Sequence, residues 1–337
     1  MANIHGHRPR RGSLGYSPRK RARKMVPRIT AWRKTEEPKL LDYPGYKAGM
    51  THAYKIDDRP HALSRGKEIL VPTTVIETPP VYVFGIRGYK QTPHGLKAVG
   101  EIWSEPAAHL ERKLVLPKTK KKKQKQKKKK KKEVDLSKAD DIRLLICTQP
   151  HIVKLKKKPE LMECGVGGTS IESKLEFAMG ILGKEVTIDQ VFNEGDFIDV
   201  ISVSKAKGVQ GVVKRWGVKI QNRKTNDARR HVGCIGPWTP HKTMWRVPFS
   251  GQMGNHSRTL LNKRVLKIGS AEEEDATPNG GFLNYGTLTS SYVLVKGSVA
   301  GPAKRLVRMR HAIRPPRHLP PGRPVITHVS LSSKQGG

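Results

Sequence analysis

Val71-Pro72-Thr73-Thr74-Val75-Ile76-Glu77 and Val81-Tyr82-Val83-Phe84-Gly85-Ile86-Arg87-Gly88-Tyr89 are two β-branched and aromatic runs separated by Thr78-Pro79-Pro80. Such residues suit a pleated, half-buried surface. A proline pair donates nothing to a sheet ladder, so the break reads as a turn between two strands. Similar short apolar pieces lie on both sides. Lys97–Trp103 alternates in part, and Ile142–Thr148 reads as a buried strand. Phe197–Val203 and Gly208–Trp216 flank a turn at Lys205–Gly208, and Val265–Ile268, Tyr292–Val295 and Leu306–Met309 complete the set. Helical signals are few. Ser104–Leu114 reads as a short helix with Ser104 as N-cap and Pro106 in its first turn. Thr169 and Glu172 have capping-box spacing ahead of Ile171, Leu175, Phe177 and Ala178, which predicts a helix over about 170–182. Thr187 and Gln190 repeat the device before a shorter one. The expected fold is therefore mainly β with an α+β insertion: a small β-barrel with long irregular basic extensions.

The extensions are residues 1–40, 117–134, 217–258 and 312–337. The first carries Pro9, Gly12, Gly15, Pro18 and Pro27 among arginines, with few apolar groups to bury, and reads as a tail. The last has five prolines in 315–324 and reads as extended. About 211 residues remain, ample for a core. The barrel is expected to be split over 41–92, 193–216 and 259–311, with the insertion at 93–192.

Charge bounds the function. The 337 residues hold 66 Lys and Arg against 28 Asp and Glu, a net +38, so a polyanionic partner is the simplest source of neutralisation. The excess is uneven. Residues 1–35 hold eleven bases and no acid, 200–271 hold fifteen bases and one acid, and 133–199 are acidic with thirteen acids to eight bases. Twelve lysines crowd into 118–132. Like charges at that density repel, so this run reads as a solvated or loosely RNA-associated insertion. Without it the chain keeps +26, so the polyanion argument does not depend on it. The cluster Pro18-Arg19-Lys20-Arg21-Ala22-Arg23-Lys24 suits either a nuclear-import signal or a polyphosphate-binding arm.

Several classes fall away. No run approaches the length of a membrane span, and the basic N-terminus lacks the apolar stretch of a secretory signal. Cys147, Cys164 and Cys234 form no Cys-x-x-Cys and leave an odd thiol, which points to a reducing compartment. The sequon Asn255-His256-Ser257 is then accidental. Gly165-Val166-Gly167-Gly168-Thr169-Ser170 lacks the Gly-Lys-Ser/Thr of a phosphate loop and reads as a turn feeding a helix. Cys234 with His231 and His241 offers one sulfur where a structural zinc site wants a pair, so no metal is expected. No catalytic constellation stands out and no cofactor is expected.

The segment 217–258 follows neither a strand nor a helix period, and glycines and prolines interrupt it repeatedly. It nevertheless carries Trp238, Trp245 and Phe249 among cations and amides. Guanidinium and ammonium groups suit phosphates, flat rings suit unstacked bases, and amides suit base edges. The RNA-contacting residues expected here are Arg223, Lys224, Arg229, Arg230 and His231, then Trp238, His241, Lys242, Trp245 and Arg246, then Gln252, Asn255, His256 and Arg258. Lys205, Lys207, Lys214 and Arg215 at its base, and Arg10, Arg11, Arg19, Lys20 and Arg21 in the tail, extend the set. Run out and back, about 21 residues each way could span roughly 65–70 Å, against a radius of gyration of about 17 Å for a 211-residue globule.

Longer motifs add a resemblance. They are Gly12-Ser13-Leu14-Gly15 with Pro18-Arg19-Lys20-Arg21, Gly45-Tyr46-Lys47-Ala48-Gly49-Met50-Thr51, and Glu194-Gly195-Asp196 leading into Asp199-Val200. Ser204-Lys205-Ala206-Lys207-Gly208 follows, with Gly211-Val212-Val213-Lys214-Arg215-Trp216-Gly217, Gly251-Gln252-Met253-Gly254 and Leu294-Val295-Lys296-Gly297-Ser298-Val299-Ala300-Gly301-Pro302. Over nearly its whole length the chain resembles the universal large-subunit ribosomal protein L-three family, archaeal or eukaryotic type. The resemblance implies a translation-factor-like β-barrel interrupted by an insertion, binding to 23S-type ribosomal RNA early in assembly, and a central extension reaching toward the peptidyl transferase centre. Trp238 matches the family's tip tryptophan. Eukaryotic relatives carry a histidine where Asn226 stands, so no role of that histidine transfers, and the lysine run matches no family motif.

The expected function is a non-enzymatic structural constituent of the large ribosomal subunit in the cytoplasm. Its expected partners are 23S-type rRNA and neighbouring large-subunit proteins, with no membrane, no small-molecule substrate and no homo-oligomer. The alternatives are a non-ribosomal, chromatin-like nucleic-acid architectural protein and, further off, an RNA-modifying enzyme.

Overall fold

The computed structural model describes residues 9–105, 107–116, 136, 138–318, 320 and 322–335. The lysine run 118–132 and Pro106 lie outside them. The chain divides into two compact units, one of residues 1–25 and 203–258, the other of 26–202 and 259–337.

In chain order the strands are β1 (Asp42–Ile56), β2 (Glu68–Glu77), β3 (Val81–Thr92), β4 (Gly95–Trp103), β5 (Asp141–Thr148), β6 (Leu161–Gly165), β7 (Glu185–Val186), β8 (Phe197–Val203), β9 (Ala206–Gln210), β10 (Gly251–Gly254), β11 (Ser257–Ser270), β12 (Ser291–Lys296), β13 (Leu306–His311) and β14 (Ile326–Val329). The helices are α1 (Ile171–Ile181) and the single-turn α2 (Val212–Trp216). The chain is mainly β.

The larger unit holds two sheets. Seven strands run in the order β13–β8–β11–β12–β2–β1–β14, and β13 pairs with β1 as well as β8. The second sheet runs β4–β3–β5–β6, with β7 also on β3. β2 and β3, the two runs flanking Pro79-Pro80, thus enter different sheets. Alternate residues of β1 from Ala53 to Ile56 are buried, the mark of one covered face. β5 is buried along nearly its whole length, because it lies between β3 and β6.

One core joins both sheets and includes Tyr43, Tyr46, Ile76, Val83, Ile146, Val200, Val293 and Val307. Its two buried tyrosines are satisfied at their polar ends. The Tyr43 hydroxyl lies 3.0 Å from the carbonyls of Pro79 and Val186, and that of Tyr46 lies 3.0 Å from Thr148 Oγ1. Glu77 is also buried. It accepts from the Thr289 and Ser290 amides at 2.7 and 3.0 Å and from the Tyr285 hydroxyl, which ties the loop before β12 to the end of β2. Unpaired, a buried carboxylate would be costly; donors from three residues offset that.

Several local expectations need correction. Ser104 caps no helix; its amide donates to the Phe84 carbonyl at 3.0 Å and its hydroxyl meets Tyr82, so the chain stays extended and only a 3₁₀ turn forms at Ala108–Arg112. α1 is capped by Ser170, whose hydroxyl accepts from the Ser173 amide at 3.2 Å, in place of Thr169. After Thr187 there is a 3₁₀ turn, Ile188–Gln190, with no side-chain cap. Gly208–Trp216 is not one strand: β9 stops at Gln210, and α2 follows between Gly211 and a left-handed Gly217. Part of the N-terminal tail is packed, since Ile29 and Leu40 are buried and Leu40 bridges to Val166. The C-terminal tail is not wholly unpaired: Ile326–Val329 pairs antiparallel with β1.

Candidate nucleic-acid interface

Charge selects the smaller unit. Residues 1–25 contribute eight Lys and Arg and residues 203–258 twelve, against the single acid Asp227.

Its base is a two-stranded ladder of β9 and β10. The ladder ends at a bulge where Gly254 has φ +73°, and a Cβ there would collide with the Lys205 carbonyl, so only glycine fits. The Asn255 amide donates to that same carbonyl at 3.1 Å, and the Asn255 carbonyl accepts from Ala22 at 2.8 Å. His256 makes the other link to the N-terminal arm. Its Nε2 lies 3.1 Å from the Gly254 amide and must accept, which leaves the proton on Nδ1, 3.0 Å from the Lys20 carbonyl.

Beside the ladder, Trp216 ends α2 with its ring buried and its Nε1 donating to the Phe249 carbonyl at 3.0 Å. The Arg19 guanidinium lies 3.8 Å from that ring's centroid, and Arg215 and Arg10 lie within 6 Å. Gly12, at φ +72°, packs against the ring so closely that a Cβ would come within 2.6 Å of it. Arg19 and Arg215 exchange backbone contacts: Arg19 Nη1 donates to the Arg215 carbonyl at 3.1 Å, and Arg215 Nη2 to the Arg19 carbonyl at 3.2 Å. Arg215 also reaches the carbonyls of Phe249 and Gln252 at 2.9 and 3.1 Å. Burial, and then the nearby Arg215, Arg258 and Arg10, push the Arg19 pKa below its ordinary value; burial lowers that of Arg215. Arg10 donates to the Arg246 carbonyl, Arg11 to that of Gly217 at 3.3 Å, and Arg258 lies 4.7 Å from the Tyr16 ring.

From 217 to 250 the chain has no helix or strand. Gln221 organises one end, with its amide on the Arg229 carbonyl at 3.0 Å and its Nε2 on the His231 carbonyl at 3.2 Å. Trp238 is 84% exposed, with the His241 ring edge-on at 5.0 Å, and Trp245 is 67% exposed. No core claims these rings.

The sequence-predicted residues therefore sort by environment. Arg10, Arg11, Lys20, Arg21, Lys205, Lys207, Lys214, Arg223, Lys224, Arg229, Arg230, His231, Trp238, His241, Lys242, Trp245 and Arg246 are exposed. Arg19, Arg215, Gln252 and Arg258 are half-buried, and Asn255 and His256 are buried. The arm and the segment base share one unit. Sequence reasoning missed Trp216, Tyr16 and Ser204, whose hydroxyl accepts from the His256 amide at 3.1 Å. Gly211 and Gly217 around Val212–Trp216 were the available signal, since glycine after an apolar turn marks a helix end.

Comparison with known proteins gives a consistent result. The family model described as Ribosomal protein L3 matches residues 1–336. The chain is 49% identical over 335 residues to large ribosomal subunit protein uL3 of Archaeoglobus fulgidus, covering 98% of this chain and 99% of the relative. It is 47% identical over 341 residues to uL3 of Methanothrix thermoacetophila, covering all of both, and 47% identical over 332 residues to uL3 of Methanopyrus kandleri, covering 98% and 92%.

Proposed function

This chain belongs to the ribosomal protein L3 family, and on that premise we propose that its N-terminal arm and its 217–258 segment are the parts that contact 23S-type ribosomal RNA. The chain is a structural constituent of the large ribosomal subunit, in the cytoplasm, and its family is not an enzyme class. Within that subunit the larger unit acts as an anchor, neighbouring large-subunit proteins are further partners, and the chain enters as one copy without catalytic activity of its own. The larger sheet is read as a translation-factor-like barrel carrying the second sheet as an α+β insertion; the pairing of β13 with both β8 and β1 supports this. The 217–258 segment orders RNA near the peptidyl transferase centre, and the chain assists subunit assembly.

The observation that carries the reading is the pair of bare indole rings, Trp238 and Trp245, in a unit with one acid. Flat rings among cations serve unstacked bases, which single-stranded RNA offers and duplex DNA withholds. Binding of the purified chain to ribosomal RNA and to duplex DNA of equal length, at near-physiological salt, tests it. RNA preference is expected; equal affinity for both would point to a general architectural protein.

A further inference from the structure

In the smaller unit Arg19, Lys205, Lys207, Arg215, His256 and Arg258 line one concavity. No Asp or Glu is among its lining residues. Two of its cations are already committed. Arg215 donates to three backbone carbonyls, and Arg19 donates both terminal nitrogens to backbone, to the carbonyls of Ser13 and Arg215. Arg19 Nε is buried with no partner among the described residues. Lys205 and Lys207 are exposed, and their ammonium groups have no partner among the described residues. Both lysines line the concavity. Arg258 is held from behind by the Tyr16 ring and spends one donor on the Ser257 carbonyl at 3.2 Å.

We propose that this concavity is a built seat for a backbone phosphate of ribosomal RNA. Lys205, Lys207 and Arg258 supply the donors, and Arg19 and Arg215 form its fixed charged wall. The proposal rests on the reading that the chain binds rRNA and adds which residues hold a phosphate and which hold the protein. Burial disfavours the charge on Arg19, and the neighbouring Arg215, Arg258 and Arg10 add to that. A phosphodiester presents one negative charge shared over two non-bridging oxygens, and donors arriving from separate chain segments suit that pair. Because the Arg19 and Arg215 guanidinium groups are tied to carbonyls, the wall is in place before RNA arrives and little ordering is needed on binding.

Binding of the full chain to in-vitro transcribed archaeal 23S-type rRNA, followed from about 50 to about 200 mM salt, tests the seat. For the triple variant Lys205→Gln, Lys207→Gln, Arg258→Gln we expect about tenfold weaker binding and a salt slope flatter by about one to two. Arg258→Lys alone should keep most of the slope. Lys97→Gln, an exposed residue of the edge strand β4 in the larger unit, should leave protection of the seated phosphate from hydroxyl-radical or ethylation probing unchanged, and the triple variant should abolish it. A triple variant with wild-type slope and footprint, in a chain that still prefers rRNA to duplex DNA, overturns the seat alone. A wild-type chain without that preference overturns the proposed function, and the seat with it.

Discussion

Arg308 closes over Asp42 in the interior of the larger unit, with Nε donating to Oδ2 at 2.9 Å and both side chains essentially without solvent contact. The pair is a junction. Arg308 also donates to the carbonyls of Pro27 at 3.1 Å and Glu163 at 2.5 Å. Asp42 accepts from Trp32 Nε1 at 3.2 Å and the Gly165 amide at 3.3 Å. One ion pair therefore holds β1, β13, the end of β6 and the segment 27–32 together.

Removing one member leaves the other charged and buried. Arg308→Met or Asp42→Ala should destabilise the chain by about 3–5 kcal/mol. The double replacement by apolar residues should cost less than the two single changes summed. Denaturant unfolding of the four proteins gives the coupling directly, and strict additivity would show the pair to be incidental.

Arg19→Ala should free the N-terminal arm without unfolding the larger unit. It removes the guanidinium stacked on Trp216 and two bonds to backbone carbonyls, worth about 1–3 kcal/mol together. Trypsin should then cut at Arg21, Arg23 or Lys24 several-fold faster, while Arg143 in β5 stays protected. Equal rates in both proteins would mean that the arm is held elsewhere.

Most of the sheet core was legible because it is written in local pattern: Val81–Tyr89, Ile142–Thr148, Phe197–Val203 and Leu306–Met309 all became strands. β1 was not, although at 15 residues it is the longest strand. Pro44, Gly45 and Gly49 mask it, and they are tolerated because its register shifts between Lys47 and Gly49 and its partners on three strands supply what propensity does not. The same limit explains the tails. Residues 27–32 look like linker until Arg308, some 280 positions away, supplies their partner. In the smaller unit, composition marked where cations are concentrated but gave no means of separating Lys205, whose ammonium has no partner among the described residues, from Arg215, which is spent on carbonyls. That distinction depends on where donors point, and spacing carries no record of it.

His311 gives the chain a pH dependence of fixed sign. Burial first, and then Lys39, lower its pKa below 6.5; Asp196 and a contact at Val191 act the other way. Its ring packs 4.7 Å from Phe192, and its Nε2 is buried without a partner among the described residues. A group that protonates more readily unfolded than folded draws protons into the unfolded state. Stability should therefore fall as pH drops through about 6.5, down to the folded value, and be unaffected by this group above about 7.5. His311→Gln should flatten the stability profile between pH 7.5 and 5.5. An unchanged slope would assign the acid sensitivity to other groups.

Trp238→Ala separates function from folding most cleanly. The ring is 84% exposed and meets only the edge of His241, so its loss should change stability by no more than about 0.5 kcal/mol. Incorporation into the large subunit should be nearly normal, because the arm, the ladder of β9 and β10 and the Trp216 stack are untouched. If the ring stacks on an unpaired base, its removal costs about 1–3 kcal/mol of local RNA order, and purified mutant ribosomes should bind tRNA or elongation factors with altered affinity. Trp238→Phe, which keeps a flat face, should restore most of that effect, while Trp238→Leu, similar in apolarity but not planar, should not. Mutant ribosomes with unchanged tRNA binding, factor binding and drug sensitivity would leave the indole without a role at the RNA surface.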